Sequence, residues 1–213
     1  MPLVPIEGQP GLFRDSDSGE IANIRDFRET DVYDTVLIPA GAITAGTEFI
    51  FFQNIQNKRE VDTNIKTPRK LSAGESMVLD RIGLYFRLAS GDIITVPRDA
   101  KKISENSFYK LNINSILQES GPAVKFPSGY GWYGTTTEND AGIFSLGVPA
   151  TASAARLVKK QLLNQNHELE GTLTFNQRTW LAADLGDDVE PVTEQPVLVT
   201  NYLHGLVRAA VTK

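Results

Sequence analysis

Apolar side chains alternate with polar ones along several short segments, and this alternation constrains the fold more than any other feature. Residues 196–211 show it most clearly. Successive side chains of a β-strand point to opposite faces, so a period of two predicts a strand with one face on a core. The apolar positions are Val197, Val199, Leu203, Val207, Ala209 and Val211, and the polar ones are Thr200, Tyr202, His204 and Arg208.

The alternation recurs upstream. Phe108–Asn114 and residues 172–176 are predicted strands, with Tyr109, Leu111, Ile113, Leu173 and Phe175 facing inward. Met77–Leu88 is longer, and Asp80 interrupts its apolar face, which predicts a bulge or bend between Asp80 and Gly83. That apolar face consists of Val78, Ile82, Leu84, Phe86 and Leu88.

The number of such segments indicates the architecture. Candidate strands lie at 35–39, 47–53, 76–88, 92–97, 108–114, 124–127 or 142–146, 172–183 and 196–211. About eight strands separated by turn residues predict an all-β jelly-roll β-sandwich of two antiparallel sheets, as a single roll. Helical spacing of apolar residues in Ala152–Leu163 adds one short helix. A compact double jelly roll is the alternative.

The N-terminal region differs from the rest in composition. Residues 1–33 are rich in Pro, Gly, Asp and Ser, which predicts an extended N-terminal arm before a jelly-roll domain at 34–213. Acidic residues outnumber arginines there, so we do not expect the arm to bind nucleic acid. The acidic run Asp15–Glu20 departs from the spacing of an EF-hand loop, so it indicates no calcium site by itself.

Several absences argue against catalysis. The chain has no cysteine, so it can form neither a disulfide nor a thiolate metal site. His167 and His204 are expected on the surface, and no histidine pair, nucleophile elbow or phosphate loop occurs. We therefore expect no cofactor, no metal and no enzyme. A carboxylate enzyme using Asp187 and Asp188 is the rival hypothesis.

No apolar run reaches the roughly 18 residues that span a bilayer, and the first residues lack the pattern of a signal peptide. We expect a protein without a membrane span, made and used without secretion.

Two groups of residues are candidates for binding. The glycine-rich segment Ser128–Gly134 carries Tyr130, Trp132 and Tyr133, which could stack on a sugar, contact a neighbouring subunit or fold back on their own core. A weak surplus of basic residues could touch nucleic-acid phosphates or only cover a solvated face. These basic candidates are Lys58, Arg59, Lys66, Arg69 and Lys70.

Several segments over residues 35–211 resemble jelly-roll major capsid proteins of tailless icosahedral viruses, particularly bacterial ones. These segments are Val61–Ile65, Leu71–Glu75 with Met77–Phe86, Gly171–Leu181 and Leu203–Arg208. The resemblance implies a virion protein, made in the host cytoplasm, that self-assembles into an icosahedral shell as a trimer or pentamer. Its partners would be copies of itself, other virion proteins and, weakly, the genome.

The family pattern also informs the choice between one roll and two. Many of these capsid proteins contain two jelly rolls, and fitting both into this chain would leave only about thirteen residues for each strand and its turn. The length therefore favours a single roll. The alternative function is a carbohydrate- or receptor-binding β-sandwich module of a phage particle, acting through Tyr130, Trp132 and Tyr133.

Overall fold

The computed structural model describes residues 3–15, 19, 21–23, 28–88, 103–127, 133–135, 143–145, 154–175, 192–193 and 196–208. This part of the chain is nearly all β. Its strands are β1 (Leu3–Pro5), β2 (Leu12–Asp15), β3 (Ile21–Asn23), β4 (Arg28–Ile38), β5 (Gly41–Ala42), β6 (Glu48–Phe51), β7 (Ser76–Leu88), β8 (Ser107–Ile113), β9 (Ile116–Pro122), β10 (Tyr133–Thr135), β11 (Ile143–Ser145), β12 (Ala155–Asn164), β13 (Leu169–Phe175), β14 (Val192–Thr193) and β15 (Val197–Arg208).

Two four-stranded sheets form the body of the molecule, with the orders β12-β7-β15-β4 and β6-β13-β8-β9. When these eight strands are counted along the chain, the first pairs with the eighth, the second with the seventh, the third with the sixth and the fourth with the fifth. All these pairs are antiparallel, so the chain forms one long hairpin wrapped around itself. This is the topology of a jelly roll. The described strands make a single roll, as expected, and not a double one.

The hydrophobic core lies between the two sheets. Tyr109, Leu111 and Ile113 of β8 face it, as the alternation predicted, and so do Leu173 and Phe175 of β13. Burying one such side chain contributes about 1.5–3 kcal/mol before entropy is subtracted. The final strand contributes Val197, Val199 and Leu203, all fully buried.

A bulge in β7 lies where it was predicted. His204 and Gly205 are consecutive in β15, yet they pair with Arg81 and Leu79, so Asp80 is an extra residue in β7. An extra residue in one strand disrupts the ladder locally and inverts the alternation of side chains beyond it.

The inversion corrects one detail of the predicted inner face. Val78 was expected to share the face of Ile82, but it points outward and packs with Leu162 and Leu206. The core side of β7 consists of Met77, Leu79, Ile82, Leu84 and Phe86.

The helix predicted within Ala152–Leu163 is wrong, because this segment contains β12. The pairing of β12 with β7 shifts register between Arg156 and Gln161. Leu157 is buried whereas Val158 is 93% exposed, and the shift prevents simple alternation. The irregular strand therefore imitates the apolar spacing of a helix.

Three other segments were predicted less well. The strand at 124–127 is wrong, because Ala123–Lys125 is a 3-10 helix. Its alternative, a strand at 142–146, is confirmed by β11. The strand β9 was not predicted. A short helix occupies residues 103–106. The strand expected at 92–97 lies outside the described residues.

The N-terminal region is partly integrated into the fold. The predicted boundary between residues 33 and 34 falls inside β4, which pairs with β15 over its whole length from Arg28. β1, β2 and β3 form a small antiparallel sheet of their own within the predicted arm. The sandwich therefore begins earlier than the composition indicated.

Candidate functional site

The five predicted basic residues all lie in the connection between β6 and β7, residues 52–75, called the β6–β7 loop below. Lys58 is held by Asp34 of β4, whose side chain is completely buried. The Lys58 Nζ donates to both carboxylate oxygens at 2.8 and 2.9 Å, and the Phe52 backbone N–H donates to Oδ2 at 2.6 Å. An unpaired buried carboxylate would be strongly destabilising. Lys58 therefore serves the fold.

Asp62 anchors the same loop to the first sheet. Arg59 Nε donates to its Oδ2 at 3.0 Å, and Arg87 of β7 donates to its Oδ1. Burial alone would raise the pKa of Asp62, but the hydrogen bonds and charges of the two arginines lower it below its ordinary value of 3.8. The charge of Arg59 is thus balanced within the protein.

The remaining basic candidates divide into two groups. Arg69 forms an ion pair with Glu170 of β13 at 3.0 Å. Lys66 is exposed and Lys70 half-buried, and neither forms an ion pair with a described residue. The structure therefore uses Lys58, Arg59 and Arg69 internally and leaves only Lys66 and Lys70 of the predicted group for an outside partner.

Asn64 of the β6–β7 loop covers part of the free edge of β4. Its Oδ1 accepts from the Tyr33 N–H at 2.9 Å, and its Nδ2 donates to the Asp31 carbonyl at 2.7 Å. One side chain thus replaces the contacts of a neighbouring strand. A groove of about 460 Å³ lies beside it, and its lining includes both Lys70 and Glu75. These mixed charges single out no class of ligand.

The expectation that both histidines lie on the surface is wrong. His167 is 8% and His204 6% exposed. His167 Nδ1 accepts a hydrogen bond from the Asn164 N–H at 3.0 Å, which fixes a tight turn. In the described residues no group of three His, Asp or Glu side chains could hold a metal ion.

His204 belongs to a polar and aromatic row on the outer face of the first sheet. Its Nδ1 lies 2.8 Å from Asp31 Oδ1, and its ring stacks on Tyr202 at 5.8 Å. Tyr33 of β4 packs against Tyr202, with the two ring centroids 5.5 Å apart. Burial raises the pKa of Tyr202, so the phenol stays neutral. The row links neighbouring strands.

A separate polar contact, inside the core, joins the two sheets. Asn201 of β15 donates to the hydroxyl of Tyr109 of β8, and both side chains are fully buried. A Cβ at Gly171 would come within 2.5 Å of the Asn201 amide nitrogen. Glycine at this position therefore gives the Asn201 side chain the space that it occupies beside Tyr109. Burial raises the pKa of Tyr109 far above its usual range. This contact is structural.

Sequence reasoning missed a basic cluster where β7 and β12 lose register. The four residues from Leu157 to Lys160 of β12 stand opposite the single residue Asp80. Arg156 Nε and Lys160 Nζ each lie 3.6 Å from Asp80 Oδ1, and Arg81 Nε lies 3.4 Å from Oδ2. We call Asp80, Arg81, Arg156 and Lys160 the Asp80 cluster. It holds three cations and one acid.

A signal for this cluster was present in the sequence. Residues 141–167 contain no Asp or Glu, but they contain Arg156, Lys159 and Lys160. The helical interpretation of this segment gave no reason to bring these cations close to Asp80 of another strand.

Other sequence candidates lie largely outside the described residues. Tyr130 and Trp132 are outside them, and Tyr133 begins β10, which pairs with β11. Asp187 and Asp188 are also outside them. The stacking loop and the carboxylate site stay predictions.

Exposed apolar side chains gather on β9 and the turn that follows it. Ile116 is 65%, Leu117 54% and Val124 51% exposed. β9 is an edge strand of the second sheet, and Asn114 and Ser115 join it to β8 with positive φ angles of 51° and 62°. Such a tight turn holds the hairpin rigidly. We call Ile116, Leu117 and Val124, which lie along this edge strand and just after it, the apolar strip.

Comparison with known proteins adds no relationship: no family model, curated protein or solved structure matches the chain. Among the described residues, no helix has the length and apolar character needed to cross a membrane.

Proposed function

We propose that this chain is a structural subunit of a viral shell and that it acts by binding copies of itself. The observation that carries the proposal is the strand order of a single jelly roll. This fold occurs in capsid proteins, lectins and cupins. The sequence resemblance to jelly-roll capsid proteins favours the first of these three classes.

The filling of the roll supports a structural role. Phe51, Phe52, Tyr109 and Phe126 are each at most 1% exposed, and their rings contact one another between the sheets. An enzyme of the cupin type needs an open, polar interior with metal ligands. The described core is instead packed with aromatic and aliphatic side chains.

The apolar strip of Ile116, Leu117 and Val124 supports self-association. Single exposed apolar residues are common, but Ile116 and Leu117 lie next to each other at one end of an edge strand, and Val124 follows the other end of that strand. Exposed apolar residues concentrated along one sheet edge are of the kind that marks interaction sites. Covering it by a second copy would remove this apolar surface from water. We assign this strip to a contact between subunits.

Sedimentation velocity of the full chain tests the proposal. We expect discrete oligomers or larger shells whose proportion grows with concentration. The double substitution Ile116→Ser and Leu117→Ser should weaken self-association at least tenfold, whereas the control Val158→Ser, on the other sheet, should not change it. A wild-type protein that stays monomeric at every concentration would contradict the proposal.

The alternative function, binding of a carbohydrate or receptor, has its own test. It requires that Trp132→Ala abolish binding to a glycan array while oligomer size is unchanged. A wild-type protein that self-associates and retains no glycan supports the shell subunit instead.

A further inference from the structure

We propose that the Asp80 cluster binds the phosphate backbone of a nucleic-acid strand without reading its sequence. This inference concerns a different surface from the apolar strip, so it does not depend on self-association. It also replaces the β6–β7 loop as the candidate for nucleic-acid contact.

The first argument is the local charge. The whole chain carries a net charge of −5, so a polyanion is repelled on average. In the Asp80 cluster three cationic groups surround one carboxylate, and Lys159 adds a further exposed base in the same stretch of β12. The cluster therefore has a net positive charge on an acidic protein.

The second argument is the weakness of the internal contacts. The Arg156 and Lys160 contacts to Asp80 are 3.6 Å long, and Asp80 Oδ1 makes no hydrogen bond with a described residue. In contrast, Lys58 and Arg69 contact their acids at 3.0 Å or less. Cations that make no short hydrogen bond to the cluster's acid remain able to donate to a phosphate.

The third argument is accessibility. The side chains of Arg156 and Lys160 are 69% and 47% exposed, and Val158 between them is almost fully exposed. The segment thus presents its bases to solvent at the edge of the first sheet. Lys and Arg heads that reach solvent suit phosphate contacts, which position a strand without specifying its sequence.

Fluorescence anisotropy of a labelled, mixed-sequence single-stranded DNA tests the proposal with the full chain at several salt concentrations. The substitutions Arg156→Gln and Lys160→Gln together should reduce the slope of log affinity against log salt by about 1.4, the value for two phosphate contacts on a single strand. The matched control, Lys66→Gln with Lys70→Gln, removes the same charge and should change the slope by less than about 0.3. Equal losses in the two double variants would overturn the proposal.

A variant of opposite sign sharpens the test. Asp80→Asn removes the acid of the cluster, so it should tighten DNA binding several-fold at low salt. Unchanged or weaker binding by Asp80→Asn would contradict the assignment, provided that its unfolding midpoint matches wild type. Binding to phosphatidylserine vesicles or polyaspartate that exceeds binding to DNA would also overturn it.

Discussion

The β6–β7 loop and the Asp80 cluster contain the same kinds of side chain but arrange them differently. In the loop, Lys58 donates two short hydrogen bonds to a carboxylate with no exposed surface. In the cluster, Arg156 and Lys160 approach a partly exposed carboxylate at 3.6 Å. The cations of the loop are part of the fold, whereas those of the cluster contribute little to it.

The difference shows that the number of basic residues is a poor guide to a binding surface. Lys58 to Lys70 include five bases, but Asp34 and Glu170 from other strands and Asp62 from the loop itself neutralise three of them. What decides the role of each base is the burial and distance of its acidic partner. Four predictions test this contrast, in decreasing order of expected effect.

The largest effect should come from Asp34→Ala. It leaves the ammonium of Lys58 and the Phe52 N–H without their buried acceptor, so the free energy of unfolding should fall by about 3–5 kcal/mol. Urea denaturation measures it. The matched change Asp80→Ala should cost less than about 1 kcal/mol, and equal losses would erase the contrast between the two regions.

Gly205→Ala should have the next largest effect. A Cβ at Gly205 would overlap the backbone oxygen of Val78, beside the bulge that positions Asp80. The backbone cannot yield as a side-chain tip can, so we expect a loss of about 1–3 kcal/mol. Thermal and urea unfolding both report it. Wild-type stability in this variant would show that the bulge is not tightly constrained.

Acidification should reduce the contribution that Asp62 of the β6–β7 loop makes to the free energy of unfolding. Its pKa is lowered in the folded state, so its contribution is complete above 3.8 and is lost as pH falls through the lower folded value. Asp62→Asn should cost about 1 kcal/mol at neutral pH and flatten the decline below about pH 4. Urea titrations across pH detect this. If the unfolding free energy of the variant depended on pH in the same way as in wild type, the stabilising role of the Arg59 and Arg87 contacts to Asp62 would be excluded.

The smallest effect on stability belongs to Arg156→Gln with Lys160→Gln. The two cations are 69% and 47% exposed and lie 3.6 Å from the acid, so their loss should leave the unfolding free energy within about 0.5 kcal/mol of wild type. Circular dichroism during thermal unfolding measures the difference. A loss near that of Asp34→Ala would mean that the cluster is structural.

Much of the fold was predictable because the strands of a sandwich alternate. Residues 107–113 and 197–203 follow the rule, and the structure confirms their faces. Prediction failed where the register shifts, since the residues from Leu157 to Lys160 obey no period of two. Strand pairing supplies that information, and it involves residues far apart in the chain.

Less of the candidate sites could be predicted. The five bases of the β6–β7 loop were visible, but Asp34, the buried partner of Lys58, is 24 residues before it and directly follows the predicted acidic arm. Its burial depends on packing between the sheets. His204 was likewise assigned to a polar, solvent-facing side of its strand, but in the fold it is only 6% exposed.

Electron microscopy of the purified full chain tests the central claim most directly, that the single jelly roll is built to assemble with copies of itself. We predict closed shells or ring-shaped oligomers of uniform size, which disappear in the Ile116→Ser and Leu117→Ser double variant. Isolated particles of about one chain's mass, in all buffers and at high concentration, would contradict the account.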